Sequence, residues 1–559
     1  MRYSFSALLL VAAACAPAAD APSERPQEAS APLSLPSGLD LLASSWDMAG
    51  HDAFGHHNNS VEFRVHSRNV DSLAIEWVFN GEDFGKQLGA IHATPVVTDT
   101  AIYVGTNSGR FLAVNLDGTL RWDYVTRAPN PLLALIAKPA PVGGQIPDFV
   151  GTPVVGGAVY SAEHNIVVFG DLDGNIYGLD ADTGEELWVK DQVDAHLLGG
   201  VVGNSLVRAG DRVVVGFAAI EDAGLVLPTM GIPYKCCSHT GFVASFDIAT
   251  GNQAWRFDTV APAAVAALPE AFAPFKLGPS GADIWAQPAF DPLTQTIYVG
   301  TGQNYSPTAQ GTGTSLSDSL IALDARNGKL KWSRQITAND IWVAGLPSPD
   351  ANGRWTDQDF GDAPKIYWLP NGRKVIGAGQ KSGAYTVLDA RTGELVATTP
   401  HVQQANQLGG LQNGSAYGRG NVFVHGLNGF DPTSSTGPFE GRVMALSPDG
   451  AQERWSFARP FGVFVAPLAL ARDVLYFVSP VEEAQPGVDP FQFAIYALNA
   501  DTGSVLTRKA LPGRAVSGPV VSKGHVYVVT GNRAIDALGS DDEGSIIALG
   551  PTRTAAPAP

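Results

Sequence analysis

Two adjacent cysteines, Cys236 and Cys237, are the residues of this sequence whose spacing most restricts their chemistry. Neighbouring Cα atoms across a trans peptide lie about 3.8 Å apart, closer than the usual disulfide range of about 4.4–6.8 Å, so a bond between them is strained. Two adjacent thiols in an oxidising compartment still tend to form that bond. The alternative is a pair of buried free cysteines.

Other side chains offer oxygen ligands, a flat ring or a proton acceptor. Glu221 ends the β-rich run 213–221, where a carboxylate can point at a ligand, although an exposed loop glutamate is more common. Asn304 offers a neutral amide oxygen to a hard cation, with an Asx turn as the alternative. Trp285 presents an indole for stacking on a planar ligand, or is a core residue. Asp340 can accept a proton.

A repeat carries these residues. Each copy has a β-branched run, a turn, a second run that ends in a small residue, an apolar residue and Asp, and then Gly, often followed by Trp. The copies lie at residues 113–122, 177–188, 244–255, 320–332, 387–393, 445–455, 497–503 and 547–549. About eight copies of a four-stranded unit, without helix-period segments, predict an all-β, eight-bladed β-propeller.

The last copy predicts how the ring closes. It lacks its own Trp strand, and residues 73–79, with Trp77, have the right character to supply one. Chain ends that meet in one blade would remove the free sheet edges. An array of β-sandwiches is the structural alternative, but it needs no strand from the opposite terminus. We therefore expect one propeller over residues 45–550 and a flexible tail over 551–559.

These features resemble the PQQ-dependent (quinoprotein) alcohol dehydrogenase family, closest to its polyvinyl alcohol dehydrogenase branch. The similarity lies in residues 234–241, 278–285, 300–306, 337–342 and 379–383, in the family's order. The resemblance implies pyrroloquinoline quinone (PQQ) and Ca²⁺ as cofactors. It also implies that an alcohol is oxidised, a secondary alcohol such as polyvinyl alcohol being the family-level expectation, and that a separate acceptor such as cytochrome c takes the electrons.

The resemblance also implies a role for each candidate residue. Asp340 would take the hydroxyl proton as hydride leaves, and Lys381 would stabilise the reduced quinone. The expected cofactor contacts are Cys236 and Cys237 on one face of the quinone, Trp285 on the other, and Lys381, Ala218, Ala219 and Asn413. The expected calcium ligands are Glu221, Asn304 and Asp340. Lanthanide-using relatives carry an extra acid where this chain has Trp342, so calcium is the expected metal.

Other functions are less consistent with the sequence. A non-catalytic propeller lipoprotein of outer-membrane assembly shares the blade pattern, but it needs neither the cysteine pair nor the acids. The sequence has no Cys-x-x-Cys-His for covalent haem and no Gly-x-Gly-x-x-Gly opening a βαβ unit for a nicotinamide. The histidines His51, His56 and His57 near Asp52 could form a metal site, but the family has a similar segment without a metal role.

Charge and the N-terminus predict an exported protein. Lys+Arg 36 against Asp+Glu 54 gives a net charge of −18, which gives no reason to bind nucleic acid but suits a basic partner such as cytochrome c, unless it only maintains solubility. Residues 1–15 predict a signal in which Cys15 carries a lipid, with cleavage near Ala18 or Ala19 as the alternative. Residues 16–44 predict a disordered tether. We expect a periplasmic location, at the outer membrane if Cys15 is lipidated.

Overall fold

The inner strands of each repeat are apolar and buried on both faces, whereas the outermost strand is partly exposed. Ile166–Gly170 is buried throughout, while Leu395–Pro400 has exposed residues at both ends and between them. A sheet whose strands are buried on both faces needs another layer of the protein packed against each face. The sheets therefore pack face to face around a common axis.

The structure is a computed structural model. It describes residues 45–136, 150–191, 193–225, 227–343, 357–402, 409–428, 440–460, 466–481, 492–531 and 543–552. The predicted signal with Cys15, the predicted tether and all but residues 551 and 552 of the predicted tail lie outside the described residues. No helix in the part that the structure describes is long and apolar enough to span a bilayer.

Eight antiparallel sheets, each with four main strands, form the predicted eight-bladed propeller. Blades 1 to 4, separated here by semicolons, contain the strands Val96–Val97, Ala101–Gly105, Arg110–Asn115 and Leu120–Val125; Val159–Ser161, Ile166–Gly170, Ile176–Asp180 and Glu186–Lys190; Leu206–Ala209, Arg212–Ala219, Phe242–Asp247 and Gln253–Asp258; Ala289–Asp291, Thr296–Gly300, Ser319–Asp324 and Leu330–Gln335. Blades 5 to 8 contain the strands Lys365–Trp368, Lys374–Gly379, Ala384–Asp389 and Leu395–Pro400; Ala416–Gly418, Asn421–Asn428, Glu440–Leu446 and Glu453–Pro460; Ala469–Ala471, Val474–Pro480, Phe493–Asn499 and Val505–Ala510; Val520–Ser522, His525–Val529, Ser545–Pro551 and Leu73–Asn80.

Short elements fill the loops between and within the blades. The additional strands are Asn58–Asn59, Gly199–Gly200, Ala266–Ala267, Leu277–Gly278, Ser280–Gly281, Asn304–Ser306 and Gly410–Leu411. The α-helices are Gly81–Phe84 and Pro131–Ile136, and the 3₁₀ helices are Val70–Ser72, Ile220–Ala223, Leu227–Met230, Pro262–Ala264 and Glu270–Phe272.

The N-terminal strand closes the ring, as the sequence predicted. Leu73–Asn80 pairs antiparallel with Ser545–Pro551 as the outermost strand of blade 8. Its Trp77 donates an indole N–H to the carbonyl of Leu116 in blade 1, at 3.0 Å. One strand from near the N-terminus therefore completes the last blade and contacts the first.

The repeated tryptophans join neighbouring blades at six of the eight blade interfaces. Trp122 donates its indole N–H to the carbonyl of Ala181, at 3.0 Å, and a Cβ placed on Gly184 would lie 2.6 Å from the indole. Gly184 also has a φ of 74°, so glycine suits this turn both sterically and conformationally. The same indole-on-glycine contact recurs for Trp77 and Gly118, Trp188 and Gly251, Trp255 and Gly328, Trp332 and Gly393, and Trp455 and Gly503.

Residues 46–59, which we call the rim segment, run around one end of the propeller axis. Their backbone and side chains bond to the first strands of successive blades. The bonds are Trp46 to Val97, Tyr160 to Asp47, Phe290 to Ala53, Ile366 to Phe54, Tyr417 to His56, Leu470 to His57, and Asn59 to Val521. These hydrogen bonds reach blades 1, 2, 4, 5, 6, 7 and 8 in chain order, so the rim segment connects seven blades through their first strands.

The histidines of the rim segment serve this attachment. His56 bonds to Asp52 through Nδ1 at 2.8 Å and to the carbonyl of Ile366 through Nε2 at 2.7 Å. The group of three possible metal ligands found among the described residues is Glu163, His164 and Asp211, which does not include these histidines. Burial opposes charge on His56, but Asp52 outweighs it and raises the pKa of His56. Burial also opposes charge on Asp52, but His56 lowers the pKa of Asp52 to about 2.

The first prediction concerns this pair. Replacing Asp52 with Asn should destabilise the protein by about 1 kcal/mol at pH 5, where both partners are charged. The raised pKa of His56 contributes stability that is complete below its unfolded pKa of about 6.5 and is lost as the pH rises through the folded value. Urea unfolding of both proteins at pH 5, 7 and 9 should therefore show a difference that shrinks with pH. A difference that stays constant across this range would contradict the assignment.

Candidate active site

Loops from blades 3, 4 and 5 lie side by side at one end of the ring. Parallel or antiparallel bridges join Thr240 to Gly281, Gly281 to Asn304, and Asn304 to Ile341. The backbone N–H of Asn304 also donates a hydrogen bond to the backbone carbonyl of Asp340, at 3.1 Å. This row of loops places two of the predicted calcium ligands, Asn304 and Asp340, on adjacent segments.

The cysteine pair lies on a loop that Glu221 holds in place. The sulfur atoms of Cys236 and Cys237 are within bonding distance, and the peptide between these residues is cis. The carboxylate of Glu221 is fully buried and accepts hydrogen bonds from the Tyr234 hydroxyl and from the amides of Ser238 and His239, each at 2.6 Å. Glu221 and the cysteine pair are therefore parts of one local structure.

A buried histidine, His239, anchors the same loop to neighbouring segments. His239 lies between the carboxylates of Asp194 and Asp283, at 2.7 and 3.1 Å. Burial disfavours its charge, but Asp283 and Asp194 outweigh burial and raise the pKa of His239 well above its ordinary value. Asp283 also accepts bonds from the amide of Ala219, at 2.7 Å, and the hydroxyl of Tyr305, at 2.6 Å. The cluster fixes the cysteine loop to the ends of two neighbouring blades.

The two alanines that were predicted as cofactor contacts end a buried strand of blade 3. Ala219 belongs to a small apolar cluster with Cys236, Cys237, Tyr305 and Ile341. Ala218 is also buried and pairs with Gly200. Ala219 therefore borders the cysteine pair.

Trp285 and Lys381 face each other. The ammonium of Lys381 lies 5.5 Å from the centroid of the Trp285 ring, over its face. The same ammonium contacts Asp357 at 2.8 Å and Asp359 at 3.1 Å. Asp359 also accepts the indole N–H of Trp285, at 3.1 Å. Burial disfavours the charge of Lys381, but the carboxylates of Asp357 and Asp359 outweigh it and raise the pKa of Lys381.

Asp340 and Asn304 are both fully buried. The two carboxylate oxygens of Asp340 accept hydrogen bonds from the backbone N–H groups of Asp357, at 3.2 Å, and Gln358, at 2.6 Å. The amide oxygen of Asn304 accepts hydrogen bonds from the backbone N–H and the hydroxyl of Thr314, at 2.7 and 3.2 Å. The side chains of both residues are therefore held in fixed positions on adjacent segments.

Asn413 lies near Trp285. The backbone N–H of Asn413 donates a hydrogen bond to the carbonyl of Gly361, at 2.9 Å. Both residues line one opening together with His57, Asn204, Ala286, Gln287, Gly361, Ala363, Gly414 and Pro467. This places Asn413 near the indole, toward the rim segment.

The buried acids test whether a cation fits this site. Four buried aspartates, Asp318, Asp340, Asp357 and Asp359, lie near one another, and the ammonium of Lys381 contacts two of them, Asp357 and Asp359. The oxygens of Asp318 accept no hydrogen bond of normal geometry among the described residues. Burial, and then Asp340, Asp359 and Asp357, raise the pKa of Asp318 well above its ordinary value. Clustered buried carboxylates are hard oxygen donors of the kind that suit Ca²⁺.

The planar quinone that the resemblance implies also fits the chemistry of these residues. Trp285 offers an indole face that is large enough to stack on a fused ring system. An ammonium has three N–H donors, and two of those of Lys381 are directed at Asp357 and Asp359, which leaves one for a ligand oxygen above the indole.

The structure thus brings all the predicted residues into one contiguous region, while their individual roles stay predictions. Sequence reasoning missed several members of that region, which include Asp194, His239, Asp283, Tyr305, Asp318, Asp357 and Asp359. His239 stands two residues after Cys237 and could have been identified there. The spacing of Asp357 and Asp359 also marks a pair, but nothing in the sequence joins them to Lys381.

Comparisons with known proteins point to two descriptions. Residues 233–407 match the family described as "Glucose/ethanol/alcohol dehydrogenase, beta-propeller domain". Residues 77–231 and 440–547 match the family described as "Outer membrane protein assembly factor BamB". The dehydrogenase match covers the cysteine pair, Trp285, Asp340 and Lys381.

The curated relatives are dehydrogenases. A polyvinylalcohol dehydrogenase of Pseudomonas sp is 26% identical over 499 residues, which cover 83% of this chain and 69% of the relative. A polyvinylalcohol dehydrogenase of Sphingopyxis sp. is 24% identical over 72% of this chain and 57% of the relative, so the chain spans little more than half of that protein. The solved structure of quinohemoprotein alcohol dehydrogenase ADHIIG from Pseudomonas putida HK5 has a TM-score of 0.67 at 18% identity, covering 93% of this chain and 83% of that chain. This structural similarity shows the shared fold.

The second prediction tests the support of the cysteine loop. Replacing Asp283 with Asn should lower the free energy of unfolding by about 1–3 kcal/mol, since it weakens buried bonds to a charged histidine and to a hydroxyl. Replacing Asp258 with Asn, which removes a surface pair with Arg256, is the control and should cost under about 1 kcal/mol. Urea unfolding measures both. Equal losses in the two variants would show that the buried cluster adds no specific support.

Proposed function

Because the chain belongs to the PQQ-dependent alcohol dehydrogenase family, we propose that it oxidises an alcohol to a carbonyl compound, with bound PQQ and Ca²⁺, and passes the electrons to a separate acceptor. The observation that carries the proposal is the placement of Lys381 over the face of Trp285, one segment away from the buried carboxylate of Asp340. A flat ring, a directed cation and a carboxylate are what this chemistry needs from a protein.

The residues that would hold the cofactors follow from the site. Trp285 would stack on one face of the quinone, and the disulfide that we propose between Cys236 and Cys237 would cover the other. Glu221, Asn304 and Asp340 would supply hard oxygen ligands to Ca²⁺. Ala218, Ala219 and Asn413 would contact the edges of the cofactor.

PQQ, when bound, supplies the carbon that accepts the hydride of the alcohol. Asp340 takes the hydroxyl proton on its carboxylate, and the amides of Asp357 and Gln358 keep that carboxylate directed into the site. Lys381 would hold an oxygen of the cofactor through its third N–H and would stabilise negative charge there. Burial of these groups excludes water from the reacting atoms.

Substrate and acceptor belong to the same proposal. The two curated relatives named above are polyvinylalcohol dehydrogenases, so a secondary alcohol, polyvinyl alcohol among them, is the proposed substrate class. The net charge of −18 would favour a basic electron acceptor such as a cytochrome c. We place the protein in the periplasm, anchored through Cys15 if that residue is lipidated.

A non-catalytic assembly scaffold is the alternative function. It is supported by the matches over residues 77–231 and 440–547, which lie largely outside the predicted active site. A scaffold has no use for buried acids around Lys381, and burying unneeded charge costs free energy. These residues lie in the stretch that matches the dehydrogenases.

The third prediction is cofactor dependence. Purified apoprotein should gain alcohol-oxidising activity with an artificial electron acceptor only when PQQ and Ca²⁺ are both added, because ligands for both lie in one site. Activity is followed by acceptor reduction and binding by the absorbance of PQQ. Mixtures with only one cofactor are the controls. An inactive complete mixture with unchanged PQQ absorbance would favour the scaffold.

The fourth prediction concerns the acids. Asp340→Asn keeps the shape but removes the base, so the turnover rate should fall by about 10²–10⁴-fold while PQQ still binds. Glu221→Gln should instead weaken Ca²⁺ first, and excess Ca²⁺ should restore part of the activity. Turnover as a function of Ca²⁺ separates the two variants. Wild-type turnover in a folded, PQQ-loaded Asp340→Asn protein would show that Asp340 is only a structural loop residue.

A further inference from the structure

Residues 357–359, which we call the clamp segment, contact each of the main residues on the quinone side of the site. The backbone amides of Asp357 and Gln358 bind the two oxygens of Asp340. The carboxylates of Asp357 and Asp359 bind the ammonium of Lys381. Three residues in a row therefore connect the proposed base with the proposed cation.

Asp359 makes the furthest-reaching contacts of the clamp segment. One of its oxygens accepts the indole N–H of Trp285, at 3.1 Å, and contacts Lys381, also at 3.1 Å. Its other oxygen accepts the backbone amide of Gln303, at 3.1 Å, next to Asn304. The backbone carbonyl of Asp359 accepts the amide of Lys381, at 3.0 Å. One side chain thus connects the stacking ring, the cation and the segment of a proposed calcium ligand.

These contacts fix degrees of freedom that are otherwise large. An indole can rotate about two side-chain bonds and a lysine about four, so neither would hold its position over the other without a partner. Asp359 is buried and restrains both groups through charge-assisted or directional hydrogen bonds. A cofactor that stacks on Trp285 would therefore find Lys381 already directed at its edge.

We propose that Asp359 is a positioning residue for the cofactor: its carboxylate aligns the Trp285 indole with the Lys381 ammonium before the quinone binds. This role rests on the proposed function, because the quinone is the ligand that is aligned. Asp359 acts through Trp285 and Lys381 and takes no proton in the reaction. Preorganisation of this kind appears in the affinity for the cofactor rather than in the handling of the alcohol.

The fifth prediction follows from this role. PQQ is titrated into apoprotein with Ca²⁺ present, and its Kd is measured from the quenching of tryptophan fluorescence. Asp359→Asn should raise the Kd about 10- to 100-fold, the effect of losing one or two hydrogen bonds to a charged group. Once the enzyme is saturated with PQQ, the KM for the alcohol should stay within about twofold.

The matched control is Asp171→Asn. Asp171 is also a fully buried aspartate, but it binds Asn175 and Tyr177 within blade 2. This variant should lower the thermal unfolding midpoint and leave the Kd for PQQ unchanged, which separates general destabilisation from positioning. An unchanged Kd in Asp359→Asn, or an equal rise in both variants, would overturn the proposal.

Two further variants keep the test decisive if Asp359→Asn does not fold. Trp285→Phe retains an aromatic face but removes the N–H that binds Asp359, and Asp357→Asn removes the other partner of Lys381. Each should raise the Kd for PQQ about tenfold, and wild-type Kd values in both would overturn the proposal. If the wild-type protein itself binds no PQQ, the proposed function fails together with this inference, whereas wild-type binding with unaffected variants removes the inference alone.

Discussion

The pairing of Leu73–Asn80 with Ser545–Pro551 is the interaction on which the rest of the structure depends. An open row of blades would expose unpaired backbone groups at both ends, and the shared eighth blade removes those edges. Closure also fixes the angle between neighbouring blades, so the loops of blades 3, 4 and 5 must meet at one end of the axis. The rim segment reinforces this closure, because its hydrogen bonds connect the first strands of seven blades to one another.

Closure has a chemical consequence, because loops held at fixed separations can bring like charges together. Asp318, Asp340, Asp357 and Asp359 are buried close together, an arrangement that a flexible loop would relax by exposing a carboxylate to water. The ring holds the acids in place, where their oxygens would suit a divalent cation. Backbone amides from the clamp segment orient Asp340 within this oxygen-rich site.

The sequence predicted the fold well because the blade repeat is local. The Asp-x-x-x-Gly turn and the following Trp lie within about a dozen residues, and both determine contacts that recur around the ring. The site was predicted residue by residue, from the family resemblance and from side-chain chemistry. Its supporting contacts were not predictable in this way. Asp359 meets Trp285 across 74 residues and His239 meets Asp283 across 44, and such pairings exist only once the blades are closed.

The same long-range contacts separate a catalytic propeller from a scaffold with the same blades. Blade packing needs apolar strands, tryptophans and glycine turns, and these are spread around the whole ring. The buried ion pairs of Lys381 and His239 are not part of that repeat, and a buried ion pair can often be replaced by apolar residues without loss of stability. They are concentrated on the loops around the cysteine pair and Trp285. Buried charges that lie outside the blade repeat, on the loops of the proposed site, are explained most simply by a ligand that interacts with them.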